Sequence, residues 1–296
     1  MPDHQRDVEF GGNLDPVADF GRAAATARAI ESADLEFIGI QDHPYQRRFF
    51  DTWTLMSALV PLTERVHFVT DVANLQLRPA PMLAKAAASL DVISGGRIEL
   101  GLGAGGFPEA VQAMGGPVRN AAERVDALEE AIELMRQMWS GSPSVSFDGE
   151  HYSLRGHKPG PTPAHRIEIW LGALGPRMLR LTGSAADGWI PSLSYVPPEK
   201  ALVMNARIDE AAEAAHRNPT EIRRAYNVMG SIGVGHAPGM AGPPKRWIEH
   251  LTSYVLDVGM DTFLFWPTSD DRLVQFEVFG HEVAPAVREA IARERG

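Results

Sequence analysis

The sequence predicts a (β/α)8 barrel of the TIM type, and three observations predict it. Eight short apolar runs are bounded by Gly, Pro or Asp, the pattern of parallel strands covered on both faces. Helical patterns lie between most of them, so strand and helix alternate over about 250 residues. The chain has 296 residues, 44% hydrophobic and 22% charged, enough to bury the core of one barrel domain spanning 1–296.

In order, the strands are expected at 8–10, 36–41, 66–72, 97–102, 167–172, 187–191, 224–233 and 262–266. The first helix, 16–33, sets Phe20, Ala23, Ala27 and Ile30 on one face behind Pro16, which suits a first helical turn. Further helices are expected at 52–62, 81–92, 121–138, 176–186, 198–216, 244–258 and 271–293. Between the fourth and fifth strands the interval is too long for a helix alone. The surplus, 140–166, carries Asp148-Gly149 between alternating runs and then Pro159, Pro161 and Pro163, which reads as a hairpin insertion with a proline-stiffened return. Residues 235–244 hold three glycines and three prolines after the seventh strand, and read either as cover for the barrel mouth or as a plain connector.

Composition removes several function classes. With no cysteine, disulfides, thiolate zinc sites and cysteine nucleophiles are excluded, and a cytoplasmic location is permitted. The start, Met1-Pro2-Asp3-His4-Gln5-Arg6-Asp7, has no apolar run of signal-peptide length behind it, and no stretch approaches the roughly 18 apolar residues that cross a bilayer, so no membrane partner is expected. Lys plus Arg is 28 against 38 for Asp plus Glu, and the formal charge of −10 repels nucleic acid. An anionic ligand must then be held by local groups. No Walker loop, His-Glu-x-x-His helix or Gly-x-Ser-x-Gly elbow occurs, and no metal site is expected.

In a barrel the chemistry sits where strands end. The fourth strand runs into Gly101-Leu102-Gly103-Ala104-Gly105-Gly106, bare backbone on which a ligand can lie. Its Gly-x-Gly-x-x-Gly spacing suggests a dinucleotide site, but the acidic residue at the required distance, Asp126, falls inside a helical stripe of Val125, Leu128, Ile132, Met135 and Trp139. The second strand ends at Asp42-His43-Pro44, where His43 either exchanges a proton beside a carboxylate or caps a loop. The third turns polar at Thr70-Asp71 before Val72-Ala73-Asn74, offering hydrogen bonds to a bound ring or simple turn chemistry; His67 reads as structural. After the fifth strand, Gly172-Ala173-Leu174-Gly175-Pro176-Arg177 opens a helix whose free N–H groups, with Arg177, suit a phosphate or else form a tight turn. Arg47 and Arg48 read as solvated or as a hold on an acidic substrate, and Phe265-Trp266-Pro267 as pocket wall or core.

Ala86-Ala87-Ala88-Ser89-Leu90-Asp91-Val92-Ile93-Ser94-Gly95-Gly96-Arg97, followed by Leu100-Gly101-Leu102-Gly103-Ala104-Gly105, resembles the signature of the bacterial luciferase-like superfamily. So do Asp42-His43, Leu77-Arg78-Pro79, the loop from Gly172 and Ala186-Asp187-Gly188-Trp189, in family order over most of the chain. The resemblance implies a barrel with an insertion after strand four, and a reduced flavin (FMN) or the deazaflavin F420 at the strand C-terminal face. It implies a ring near the end of strand three, beside a non-proline cis peptide at Asp71-Val72, with Asp42 and Asn74 nearby. Gly103, Ala104 and Gly105 would pass close to the cofactor, Gly172, Ala173, Leu174, Gly175, Pro176 and Arg177 would take its phosphate, and His43 would serve as acid or base.

The Asp-His form points to the F420-dependent branch, because the flavin monooxygenases more often show Glu-His-His. The implied activity is hydride transfer between F420 and a small organic substrate. The alternatives are an FMN-dependent monooxygenase and a flavin-binding protein without turnover. Arg47 stands where the related sugar-phosphate dehydrogenases carry tryptophan, and Gly11-Gly12-Asn13 where they carry an acidic partner, so glucose phosphate is not the expected substrate. A homodimer and a separate reductase supplying reduced cofactor complete the expectation.

Overall fold

The computed structural model describes residues 3–233 and 235–296; Met1 and Pro2 of the mixed-charge first segment, and Val234, lie outside the described residues. The strands are β1 (Glu9–Leu14), β2 (Phe37–Ile40), β3 (His67–Thr70), β4 (Ala73–Asn74), β5 (Ile98–Gly103), β6 (Val145–Asp148), β7 (Ser153–His157), β8 (Ile169–Leu171), β9 (Gly188–Trp189), β10 (Arg223–Ile232), β11 (Met240–Gly242) and β12 (Thr262–Pro267). Eight of them, β1-β2-β3-β5-β8-β9-β10-β12, pair in parallel and close back onto β1. Each of the eight expected runs is one of these staves.

The ends differ for identifiable reasons. The first strand does not stop at residue 10 but continues through Gly11 and Gly12, because those positions have no room for a side chain: a Cβ would meet Leu264 Cδ2 at 2.5 Å and Phe276 Cε1 at 2.5 Å respectively. The third strand ends at Thr70, earlier than expected; a cis peptide joins Asp71 to Val72, and β4 then resumes pairing, now with β5.

The helices are α1 (Phe20–Ser32), α2 (Thr52–Leu59), α3 (Ala80–Ser94), α4 (Pro108–Ala113), α5 (Ala121–Trp139), α6 (Pro176–Ala185), α7 (Pro198–Ala214), α8 (Pro244–Leu256), α9 (Arg272–Val278) and α10 (Ala284–Arg295). The first begins at its cap Asp19, whose side chain accepts from Arg22 N, and not at Pro16, since Val17 bridges to Phe49 and the Pro16 carbonyl receives Phe50 N. A capping box starts α5: Asn120 Oδ1 accepts from Ala122 N and Glu123 N, and the Glu123 side chain returns to Asn120 N. Helix α3 stops at Gly95, φ 75°. The expected single helix over 271–293 is interrupted by a π turn, Phe279–Val283. There the backbone of Gly280 presses so close to α1 that a Cβ would lie 1.9 Å from Ala33 O.

Two apolar layers hold the barrel. Inside it lie Phe37, Val69, Trp170, Ile190, Ala225 and Leu264. The rings of Phe37 and Trp170 meet edge to face at 5.2 Å although their strands are not neighbours, so the contact crosses the interior. The second layer lies between sheet and helices, where Trp247, Phe265, Phe276 and Phe279 are fully buried. Each such side chain contributes on the order of 2–3 kcal/mol.

Arg97 closes the lower end of this layer. Its guanidinium donates to Val60 O, Thr63 O, Thr63 Oγ1, Val66 O and Ser94 O at 2.9–3.2 Å.

Strands β6 and β7 form the expected hairpin between β5 and β8, but its loop is wider than the two residues Asp148-Gly149. Glu130 on α5 explains this by accepting from the backbone N–H of Glu150, His151 and Tyr152 at 2.8–3.1 Å. The segment 235–244 is not a free cover: β11 pairs with Gly230, Ser231 and Ile232 of β10. Among the described residues no helix is long and apolar enough to cross a membrane.

Candidate active site

The C-terminal ends of β2, β3, β5 and β8 converge around Val72. A Cβ on Gly101 would meet Thr70 O at 1.8 Å, one on Gly103 would meet Val72 Cγ2 at 2.8 Å, and one on Gly172 would meet the same methyl at 3.1 Å. The three glycines therefore let neighbouring strands close on the valine and leave its upper surface as the floor of the mouth. Ala104 and the buried Gly105 continue the loop, with Gly105 at φ 91° and its Cα against Gln76.

Asp42 is buried at the end of β2, where Oδ2 accepts from Asn74 N at 3.1 Å and so fixes β4 to the second strand. Burial pushes its carboxyl above the usual range, against the hydrogen bond from Asn74 and the charge of Arg78. Its other oxygen, Oδ1, has no partner among the described residues, and neither has the buried Nε2 of Gln76. Asn74 Oδ1 accepts from Gln76 N, which ties these groups together.

His43 is half-buried beside them. Its Nδ1 lies 2.5 Å from the hydroxyl of Tyr45, and Phe107 sets its ring edge-on at 5.6 Å. Burial lowers the histidine pKa, while burial and the nearby Asp42 raise that of Tyr45 to about 12. At neutral pH the pair thus stands as uncharged imidazole and phenol, joined at Nδ1, with Nε2 as the nitrogen left for proton exchange.

Asp71 lies at the centre of the strand ends and keeps part of its surface open. Asn227 Nδ2 donates to its Oδ1 at 3.1 Å, and the side-chain amide of Asn13 lies 2.9 Å from that of Asn227. Desolvation raises the Asp71 pKa to about 6, the Asn227 bond opposing it.

The loop Gly172-Ala173-Leu174-Gly175 leads into α6 with no side-chain cap, so the N–H groups of the first turn face a ligand or solvent; Pro176 sits at its first position. Leu174 is exposed and Ala173 buried. Arg177 departs from the expectation that its side chain aims at a phosphate. Its guanidinium pairs with Asp126 of α5 at 2.5 Å, leaving only its backbone N–H at the helix start. Arg47 and Arg48 are exposed.

Sequence reasoning missed Tyr45, Gln76, Asn13 and Asn227. The two asparagines were detectable as lone amides within otherwise apolar strand runs. Nothing local marks Gln76, whose side chain also receives Arg119 Nη1 at 2.8 Å beside a cleft of about 440 Å³.

A family model described as luciferase-like monooxygenase matches residues 5–237. The F420-dependent hydroxymycolic acid dehydrogenase of Mycobacterium tuberculosis is 33% identical over 232 residues, covering 76% of this chain but only 63% of that protein. An F420-dependent glucose-6-phosphate dehydrogenase of Gordonia bronchialis is 31% identical over 314 residues, 88% of this chain and 92% of that protein. The solved structure of an F420-dependent secondary alcohol dehydrogenase in complex with an F420-acetone adduct superposes with a TM-score of 0.85 at 18% identity, over 95% of this chain and 99% of that one. At that identity the likeness is one of fold.

Proposed function

We propose, since this chain belongs to the luciferase-like monooxygenase family, that it is an F420-dependent oxidoreductase moving a hydride between the deazaflavin and a small organic substrate. The residues present fit the cofactor. Asp42 Oδ1 and Gln76 Nε2 are buried polar atoms awaiting partners, the glycines around Val72 leave a floor for a flat ring, and the uncapped start of α6 offers N–H groups to a phosphate. Asp42, Asp71, Val72 and Asn74 would surround the ring, Gly103, Ala104 and Gly105 its edge, and Gly172, Ala173, Leu174, Gly175, Pro176 and the Arg177 backbone its phosphate.

F420 supplies a ring carbon that gives or takes a hydride and reacts poorly with oxygen. The chain supplies the proton. When a carbonyl becomes an alcohol its oxygen must gain a proton, and in the reverse direction must lose one; His43 Nε2 carries it while Tyr45 holds Nδ1. The half-buried His43, tethered to Tyr45 beside the buried Asp42, is the observation that carries this reading. Related proteins named for F420 support it.

The working form is proposed as cytoplasmic and homodimeric, with reduced cofactor delivered by a separate reductase and no nucleic acid or membrane involved. Side-by-side fluorescence titration of the purified chain with F420 and FMN, oxidised and reduced, tests the assignment. Saturable F420 binding with weak FMN binding is expected. Preference for reduced FMN would instead indicate oxygen-dependent monooxygenation, and binding of neither would overturn the cofactor assignment.

A further inference from the structure

At the opposite end of the barrel, three side chains from separate segments bring their donor atoms together. His67 opens β3, Glu99 is the second residue of β5, and His165 lies on the return from β7 into β8. His67 Nδ1 is 3.3 Å and His165 Nε2 3.0 Å from the same oxygen, Glu99 Oε1, and all three donor atoms lie within 4.8 Å of one another. We infer that this cluster is a binding site for one divalent transition-metal ion, with Zn2+ as the best match.

Two of the three donor separations are those of a coordination shell. Donors at about 2.0–2.2 Å from a common zinc stand roughly 3.0–3.5 Å apart, which two edges of the triangle already satisfy. Two imidazoles and one carboxylate suit zinc and its first-row neighbours, and do not suit magnesium or calcium, which take oxygen. Glu99 is held in place by Glu168 N, which donates to its second oxygen at 2.7 Å.

A carboxylate stands behind one of the histidines. Asp91 Oδ1 is 2.7 Å from His165 Nδ1, an ion-pair contact without the geometry of a hydrogen bond. Asp91 is itself fixed, since Oδ2 accepts from Ala164 N at 2.7 Å and His165 N at 3.1 Å. Carboxylate-backed histidine is the usual outer support of a metal ligand. Two buried carboxylates facing two imidazoles also leave an excess of negative charge that a divalent cation neutralises. The His67 and His165 side chains are 35% and 28% exposed, so ions can enter and water can complete the shell.

This end of the strands is where such folds hold stability and not catalysis. The ion would therefore act as a staple, joining β3 and β5 to the segment that returns from the hairpin. The inference is independent of the cofactor assignment at the other end.

The test uses the untagged full-length chain, stripped with a chelator and titrated with Zn2+ by calorimetry and with Co2+ by visible absorption. One equivalent of Zn2+ per chain, a rise in Tm on loading, and affinity at least about tenfold weaker in both His67→Gln and His165→Gln are expected. Circular dichroism checks that the variants are folded. No uptake by the parent chain, or uptake unchanged in the variants, would overturn the site and leave His165 as a protonated link between Glu99 and Asp91. The parent titration alone suffices for that outcome if a variant fails to fold.

Discussion

Asn227 in the middle of β10 donates its side-chain amide to Asp71 at the end of β3 across 3.1 Å, linking the two strands through the barrel mouth. The carboxyl it meets has its pKa raised from 3.8 to about 6. The fold therefore favours the protonated acid, and the stability this gives is complete below the unfolded value and lost as pH rises through about 6. Full conversion of the shift gives about 3 kcal/mol, and partial exposure of Asp71 screens this to an expected ~1–2 kcal/mol. Asp71→Asn cannot ionise, so relative to the parent it should gain that amount between about pH 4 and pH 8. Urea midpoints at several pH values measure it; parallel curves for the two proteins would sink the idea.

His43→Ala should lower turnover by about 10²–10⁴-fold and leave F420 affinity within a factor of about two. Burial depresses the histidine pKa, so the acid limb of kcat/KM for alcohol oxidation, which needs neutral imidazole, is expected below pH 6.5. Tyr45→Phe removes the hydroxyl at Nδ1 and should move that limb. An unmoved limb would take Tyr45 out of the proton path.

Gly103→Ala should weaken F420 binding about tenfold or more, since its methyl group would push Val72 at 2.8 Å and tilt the floor. Gly172→Ala approaches the same methyl at 3.1 Å and should have the smaller effect. Equal affinities for both variants and the parent, by fluorescence titration, would place the ring elsewhere.

Arg97→Lys should cost about 2–4 kcal/mol of stability, because one ammonium cannot serve the five acceptors the guanidinium reaches and buried carbonyls are left open. Its F420 affinity should not change, as Arg97 lies at the far end of β5 from the mouth. Thermal unfolding and titration of the same preparation separate the two effects.

The staves were legible because each is an apolar run bounded by turn formers, and a buried parallel strand needs nothing else. What escaped was set by close approach between distant segments: Gly12 against Phe276, Gly280 against Ala33, Glu130 beneath the hairpin loop. Local periodicity carries no record of such contacts. The same holds within the site. Asp42 and His43 announce themselves as a polar pair ending a strand, and Asn74 stands among the expected neighbours of the ring, whereas Tyr45, which holds His43 Nδ1, looks like an ordinary loop residue. The Ser94-Gly95-Gly96-Arg97 signature proves to serve the architecture, as Gly95 ends α3 and Arg97 rivets the lower rim.

The hairpin hangs on Glu130, which grips three successive backbone amides and no side chain. Recognition of this kind is indifferent to the side chains of residues 150 and 151, provided neither is proline, whereas Tyr152 also packs against the core and beneath Arg119. Natural variation can therefore rewrite the tip of the hairpin without disturbing the helix that carries it. That makes the tip of this loop, which shares a cleft with Gln76, a graft point where new specificities could be installed.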